Sequence, residues 1–327
     1  MRRVCRLAMG GLFVAGCAAA PAAAQGALLV SIIGEKKVVM LDTGTGRVIA
    51  EMPVGTGPHE ITVSREGARA YVAPAGEAAD AVAVLDLKAR TVKGMLPGCA
   101  RLHDTRISRD GKRLWIACGG EKAVAEVDVQ AGKVLRKLDV KLDGGWFVEI
   151  AANERKVYVP HLEGKALTVT DLASGTSQTV YSSSEHLGIA ASPDGREVWV
   201  GEGDPAKLNV VDTASDRVVA SVNLPAPVGE DGKAQAALSR IRFTPDGRYV
   251  LVVMGTKFLV VDAKTRVVAW SMEMPHRGKV LTVSGDGRRA FVSHPSDDAI
   301  SVIDLVARKV SAKFSTGKQP DGVEWIK

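Results

Sequence analysis

The sequence predicts an all-β fold in which one short unit recurs along the chain. Runs of Val, Leu, Trp and Tyr are bounded by Gly, Pro, Asp and Ser clusters, a pattern typical of strands and turns. One aspartate ends a run in each unit, at steps of 44, 42, 43, 41, 50 and 42 residues: Asp42, Asp86, Asp128, Asp171, Asp212, Asp262 and Asp304. Repeats of this period that contain only strands indicate a β-propeller with one four-stranded sheet per repeat. The seven aspartates therefore predict a seven-bladed β-propeller of four-stranded antiparallel blades.

Each repeat reads as an inner strand A, a tight turn, strand B, a loop, strand C ending in the aspartate, a second turn and an outer strand D. The A–B turns are of the Ser-Pro-Asp-Gly type, at 64–67, 108–111, 192–195, 244–247 and 284–287. Glycine in the last position supplies a positive φ, and Asp hydrogen-bonds the turn backbone. We expect the strand-ending aspartates to cap the C–D turns in the same way, because copies spread around a ring cannot share one catalytic site.

The two ends of the repeat array predict how the ring closes. The first repeat opens with a B strand at 28–32 and lacks an A strand. The segment 317–326 matches 55–63, which leads into an A strand, so the C-terminal strand is expected to pair into the N-terminal blade. Such closure removes the exposed edges of an open sheet. An insertion at 224–235 explains the longest step and is expected to form a surface loop.

Residues 1–24 have the features of a secretory signal peptide. A basic start is followed by an apolar run that is too short for a membrane span and by a small-residue cleavage site ending at Ala24. Cleavage there would leave one propeller domain, 25–327, in the periplasm. The alternative is the lipobox-like sequence before Cys17, which would leave a lipid-anchored Cys17 outside the cytoplasm.

Charge gives little information about partners. Removal of three arginines with the signal peptide lowers the formal charge from +6 to +3. No basic run with interleaved aromatic residues is present, which argues against nucleic-acid binding.

Two cysteines remain in the mature chain, Cys99 and Cys118. An oxidising compartment favours a disulfide between them. The alternative is a thiolate metal site formed by both cysteines with His103.

The A strands predict which side chains line the central channel. Alternation of period two separates packed positions from channel positions. The charged residues of the second set are Glu60, Asp104, Arg106, Glu149, Arg240, Arg242 and Glu324. We expect the arginines to face the carboxylates across a polar channel. In the structural interpretation, these charged residues compensate one another in a hydrated channel. In the functional interpretation, Arg240 and Arg242 bind an anion, because guanidinium groups suit bidentate binding.

The histidines give a second signal for a site. By strand direction, all six lie on the face that carries the D–A and B–C loops: His59, His103, His161, His186, His276 and His294. Histidines and carboxylates together, including Glu60, Asp104 and Asp321, could bind a transition metal. We expect the blades to be too far apart for this, so no cofactor is predicted and a metal is left as the alternative.

The repeats resemble the YVTN family of β-propeller proteins. The resemblance rests on Gly55-x-x-Pro58, Ser192-Pro193-Asp194-Gly195, Tyr71-Val72-Ala73, Tyr158-Val159-Pro160 and the Val-Val-Asp-Thr strand endings. It implies a secreted seven-bladed propeller used for binding, for assembly, or beside redox enzymes such as quinoprotein dehydrogenases.

Motifs of nucleophilic catalysis, phosphate binding and covalent haem attachment are absent from the sequence. The favoured function is therefore a monomeric binding or scaffold protein that docks a partner protein or a small anionic ligand on its histidine-bearing face. Its candidate ligand-binding residues are His59, Glu60, His103, Asp104, Arg106, Glu149, His186, Arg240, Arg242 and Glu324. The alternatives are a metal-assisted lyase or lactonase using His and Glu at the channel mouth, and an accessory of a periplasmic quinoprotein or cytochrome system.

Overall fold

The computed structural model describes residues 26–327 except 56, 75, 77, 78, 152, 183–185, 204 and 226–237, and it describes only the backbone of 186 and 187. The predicted signal peptide, Cys17 and nearly all of the predicted insertion at 224–235 thus lie outside the described residues. Among the described helices, none is long and apolar enough to cross a membrane.

The chain forms seven four-stranded antiparallel sheets, which confirms the predicted β-propeller. The strands run in the order A, B, C, D from the centre outwards in every blade, and two 3₁₀ turns lie at Ile33–Glu35 and Pro295–Asp297. The strands are β1 Ala27–Ile32, β2 Lys37–Asp42, β3 Val48–Pro53, β4 Pro58–Val63, β5 Arg69–Pro74, β6 Ala81–Asp86, β7 Thr91–Pro97, β8 Leu102–Ile107, β9 Arg113–Cys118, β10 Ala123–Asp128, β11 Lys133–Asp139, β12 Glu149–Ile150, β13 Lys156–His161, β14 Ala166–Asp171, β15 Ser177–Ser182, β16 His186–Ala191, β17 Glu197–Glu202, β18 Lys207–Asp212, β19 Arg217–Asn223, β20 Leu238–Phe243, β21 Tyr249–Met254, β22 Lys257–Asp262, β23 Val267–Glu273, β24 Leu281–Val283, β25 Arg289–His294, β26 Ala299–Asp304, β27 Lys309–Ser315 and β28 Pro320–Ile326.

The last strand completes the first blade, as predicted. Blade 1 has the order β28-β1-β2-β3, and Val323 of β28 pairs with Val30 of β1. As the innermost strand of blade 1, β28 also lies beside β4, the innermost strand of blade 2. The ring is therefore closed by residues from opposite ends of the chain.

The apolar residues form one core between each pair of neighbouring blades. Seven clusters of buried side chains each draw on two adjacent sheets. In the cluster between blades 7 and 1, for example, Phe291 and Ile300 pack with Leu28 and Val323. Successive side chains of a strand point to opposite faces of its blade, and each face packs against a different neighbouring blade. The B and C strands therefore contribute to two cores, which is why they are almost wholly apolar.

The strand-ending aspartates cap turns, as expected. Each of the seven ends a C strand, and its carboxylate accepts backbone N–H groups of the following turn. Asp42, for example, accepts hydrogen bonds from the Thr45 N–H at 2.7 Å and from the Thr45 hydroxyl. These hydrogen bonds lower the pKa of Asp42. Their role is structural.

A β-bulge recurs in the innermost strands and changes where side chains point. In β4, Pro58 pairs with Pro74 and Ile61 with Val72, so one extra residue is accommodated in β4. The same shift occurs where β8, β16, β20 and β28 pair with their B strands. A bulge re-aims side chains that strict alternation would send to opposite faces.

Cys99 and Cys118 form a disulfide, with their Cα atoms 5.6 Å apart. The bond joins the segment before β8 to the end of β9 in blade 3. The thiolate metal site considered above is therefore not formed in this state of the protein.

Candidate functional site: the channel mouth

A compact polar cluster lies where the innermost strands of blades 1, 2, 3, 6 and 7 begin. We define it as the channel mouth, formed by His59, Glu60, His103, Arg240, Lys279 and Asp321. Four of the six are at least nine-tenths buried: His59, Glu60, His103 and Asp321.

His59 is held in place by the blade that closes the ring. The Ser31 hydroxyl donates a 2.7 Å hydrogen bond to the His59 carbonyl oxygen. A Cβ atom on Gly322 would lie 2.1 Å from that oxygen, so only glycine allows β28 to approach this closely. Closure therefore brings Asp321, the residue before Gly322, against the His59 side chain.

Asp321 links His59 to Lys279. Its Oδ2 atom lies 2.9 Å from His59 Nε2 and 2.6 Å from Lys279 Nζ. Burial acts to raise the pKa of Asp321, but His59 and Lys279 outweigh it and hold that pKa well below its usual range. The carboxylate is therefore ionised, as a buried charge with paired neighbours can be.

Glu60 faces a guanidinium from the far side of the ring. Arg240 of blade 6 contacts Glu60 Oε1, and the Arg240 guanidinium also lies 4.0 Å above the Phe147 ring. Burial lowers the pKa of Arg240 to about 10, so the side chain remains a cation at neutral pH. The Glu60 carboxylate is oriented by this pair towards His59, whose Nδ1 lies 3.2 Å from Glu60 Oε1.

His103 packs directly against His59. The two ring centroids are 4.5 Å apart, and His103 Nδ1 lies 3.1 Å from the Trp146 carbonyl oxygen. Burial, followed by the proximity of His59, lowers the pKa of His103 to about 3. His103 is therefore a neutral imidazole near pH 7.

Deeper in the channel, the remaining charged residues pair with one another. Arg106 lies 2.8 Å from Asp104 and 3.4 Å from Glu149, and Arg242 holds Glu324 at 2.7 Å. Burial raises the pKa of Asp104, Glu149 and Glu324, an effect that the arginines only partly offset. Arg106, Arg242 and Glu324 also line a cavity of about 210 Å³ with Thr62.

The structure thus places the predicted arginines opposite the predicted carboxylates. Arg240 and Arg242 do not form a joint anion site, because each is already paired with a glutamate. An anion bound there would have to displace Glu60 or Glu324.

The expectation that the blades are too far apart for a metal site was wrong. His59 and His103 come from neighbouring blades, yet ligand atoms of His59, Glu60 and His103 all lie within 4.8 Å of one another. The A strands converge most closely at the centre of the ring, and the bulges turn these side chains towards it.

The other histidines whose side chains are described do not join this cluster. His161 and His294 are buried and bridge backbone carbonyls to Thr168 and Ser301 hydroxyls, so they stabilise blades 4 and 7. His276 lies 3.4 Å from Asp297, away from the mouth. His186 begins β16, but its side chain is outside the described residues.

Lys279 and Trp146 were missed, although the sequence contains a signal for them. Lys279 stands five places before Ser284, and Trp146 stands five places before Ala151, where the A–B turn of blade 4 begins. His59 and His103 have the same spacing from Ser64 and Ser108. Strict alternation assigns this position to the packed side of the strand. In β4, β8 and β28 a bulge follows this position. Trp146 and Lys279 instead lie just before β12 and β24, whose pairing shows no register shift.

Fold and site together define a seven-bladed β-propeller whose polar channel ends in a buried histidine–carboxylate cluster. No protein-family model and no curated protein matches this sequence. Solved structures are similar in fold. Hydrazine synthase from Kuenenia stuttgartiensis superposes with a TM-score of 0.75 at 17% identity, over 91% of this chain and 100% of the other. A functionally unknown protein from Desulfotomaculum acetoxidans superposes with a TM-score of 0.77 at 12% identity, over 92% and 98% of the two chains. At such identities the likeness shows the fold alone.

Proposed function

We propose that this protein is an extracytoplasmic binding propeller of the YVTN type, which holds a small ligand at the channel mouth and performs no chemistry of its own. The observation that carries the proposal is the convergence of buried, titratable side chains from separate blades. Two of their atoms, His59 Nδ1 and Asp321 Oδ1, are buried without a hydrogen-bond partner within the described part of the chain. Buried polar atoms are nearly always satisfied in folded proteins, so unsatisfied ones at a channel opening favour a site for a ligand.

The proposed compartment is supported by two features. The N-terminal segment has the charge and hydropathy pattern of a signal peptide. The Cys99–Cys118 disulfide is of a kind that persists in oxidising compartments. The intact mass of the exported protein tests this: a mass starting at Gln25 supports cleavage, a lipidated Cys17 selects the anchored form, and retention of Met1 in the cytoplasm contradicts export.

Trp146 offers a direct probe of the mouth. Its ring lies 4.9 Å from the His103 ring, and its indole N–H donates to Glu163. Zn²⁺, inorganic phosphate and succinate are to be titrated separately into the mature chain while tryptophan emission and thermal unfolding are followed. We expect at least one probe to change the emission and to raise the melting temperature, since a ligand that binds only the native state stabilises it.

The matched control for this titration is Trp146→Phe. This variant should lose the change in emission but keep the rise in melting temperature, because the phenyl ring still packs against His103 beside the channel mouth. If none of the three probes produces either effect in the parent protein, the proposal of a small-ligand site at the mouth is wrong.

A partner protein docking on the same face is the second candidate. Arg101 stacks over the Trp146 ring at 5.4 Å beside the mouth, and Trp and Arg dominate the binding energy of many protein interfaces. Co-purification of a defined partner that Trp146→Ala abolishes, with small-probe binding unchanged, would select this function.

A further inference from the structure

We propose that the channel mouth binds one divalent transition-metal ion through His59 Nδ1, His103 Nε2 and a carboxylate oxygen of Glu60. This inference rests on the proposed function and names its ligand class. Ligand atoms of the three residues lie within 4.8 Å of one another, and all three residues are more than nine-tenths buried. Imidazole nitrogens with one carboxylate oxygen form a donor set used for Zn²⁺ and related ions.

The hydrogen bonds of His59 leave the required nitrogen free. His59 Nε2 lies 2.9 Å from the Asp321 carboxylate, whereas Lys279 lies 3.3 Å from Nε2 and has its closer partner in Asp321. The proton therefore belongs on Nε2, where it is donated to Asp321. The lone pair of His59 then lies on Nδ1, the buried atom without a hydrogen-bond partner that faces Glu60.

His103 has the complementary tautomer. Its Nδ1 faces the Trp146 carbonyl oxygen at 3.1 Å, and a carbonyl can only accept, so Nδ1 carries the proton. The lone pair is left on Nε2. In both rings one nitrogen is committed to an oxygen acceptor and the other is free, which is the arrangement that fixes histidine ligands around metals.

Carboxyl groups outnumber cationic side chains along the described part of the channel. Its carboxylates are Glu60, Asp104, Glu149, Asp321 and Glu324, and its cationic side chains are Arg106, Arg240, Arg242 and Lys279. These are five carboxyl groups and four cationic side chains, and Arg240 and Arg242 are each already paired with a glutamate. A set of three protein ligands also leaves a coordination position for water or for a donor from a partner.

The test uses the mature chain stripped of metal by a chelator. Zn²⁺ binding is measured by isothermal titration, and Co²⁺ is added as a spectroscopic probe because its visible bands report coordination by nitrogen and oxygen ligands. We expect one ion per chain and Co²⁺ bands that Zn²⁺ abolishes. His103→Gln and Glu60→Gln should each weaken Zn²⁺ binding by about 100-fold or more, as loss of a ligand exceeds the roughly 10–100-fold cost of losing an outer-shell partner.

Asp321→Asn tests the positioning role of Asp321. An amide oxygen still accepts from His59 but carries no charge, so Zn²⁺ affinity should fall about 10–100-fold while Co²⁺ keeps its bands. His276→Gln is the matched control, since this imidazole lies beside Asp297 rather than at the mouth and should leave the affinity unchanged.

The outcomes separate the two proposals. Zn²⁺ binding that His276→Gln abolishes and His103→Gln leaves intact would overturn the assigned site. Absence of Zn²⁺ and Co²⁺ binding, with phosphate or succinate still changing Trp146 emission, would overturn the metal assignment and leave the proposed function standing. Failure of all probes would overturn both. If His103→Gln or Glu60→Gln unfolds, its circular dichroism shows this, and the other of the two variants is used instead.

Discussion

Ring closure by β28 predicts that a small change in the last strand destabilises the whole propeller. Val323 is 2% exposed and packs in the core between blades 7 and 1. Val323→Ala removes the equivalent of two methylene groups, or about 1.6 kcal/mol of transfer free energy, and the cavity left behind raises the expected loss to about 2 kcal/mol. Val306, which is 65% exposed, provides the matched control. Val306→Ala should change the free energy of unfolding by less than about 0.5 kcal/mol.

Urea denaturation followed by circular dichroism and tryptophan emission measures both variants. The two probes should give one coincident transition in Val323→Ala, shifted to lower urea, because a closed ring unfolds as a unit. Deletion of 320–327 extends the test. It removes the buried side chains of Val323 and Ile326, which contribute roughly 1.5–3 kcal/mol each to the free energy of unfolding. It also leaves Lys279 and Arg242 without their carboxylate partners. The total loss is comparable with the about 5–15 kcal/mol that stabilises a typical domain. If Val323→Ala behaves like Val306→Ala, the C-terminal strand does not close the ring.

Three further outcomes are expected. Reduction of the disulfide, which spans a sequence separation of 19, should lower stability by about 3 kcal/mol in urea melts with and without reductant, and no shift would contradict its structural role. Burial lowers the pKa of His161 and His294 below 6.5, so on acidification the unfolded chain takes up protons before the folded chain does. The free energy of unfolding should therefore be highest above pH 6.5 and should fall below that pH, by up to about 1.4 kcal/mol per pH unit for each residue. The His161→Gln/His294→Gln variant should reduce that slope between pH 6.5 and 5 and leave the share of His103, whose pKa burial also lowers; an unchanged slope would assign the dependence elsewhere. Gly322→Ala should cost roughly 2 kcal/mol or more and weaken binding at the mouth, whereas Gly94→Ala, where a Cβ meets nothing within 4 Å, should be nearly neutral in both assays.

The repeat pattern was sufficient to predict the fold because it is redundant. Each strand-ending aspartate marks the same place in a blade, and the match between the two ends of the chain identified β28 as the strand that closes the ring. The charged partners in the channel also followed from alternation. Arg106, Arg242 and Glu324 lie beyond the bulges, where period two still holds.

The mouth could not be predicted in the same way, because an inserted residue breaks the alternation. Nothing in Pro58-His59-Glu60 indicates the bulge that the pairing of β4 with β5 contains. His59 and Glu60 were both candidate ligand-binding residues, His59 from strand direction and Glu60 from alternation, but their meeting with His103 in one cluster was not expected. The contact between His59 and Asp321 depends further on ring closure, which joins residues 262 positions apart.

Anomalous diffraction from crystals soaked in Zn²⁺, recorded on both sides of the zinc absorption edge, tests the assignment of the site most directly. We predict one anomalous peak where β4 and β8 begin, in contact with His59 Nδ1, His103 Nε2 and Glu60. A peak beside His276 and Asp297 alone, or none in crystals whose channel is open to solvent, would contradict it.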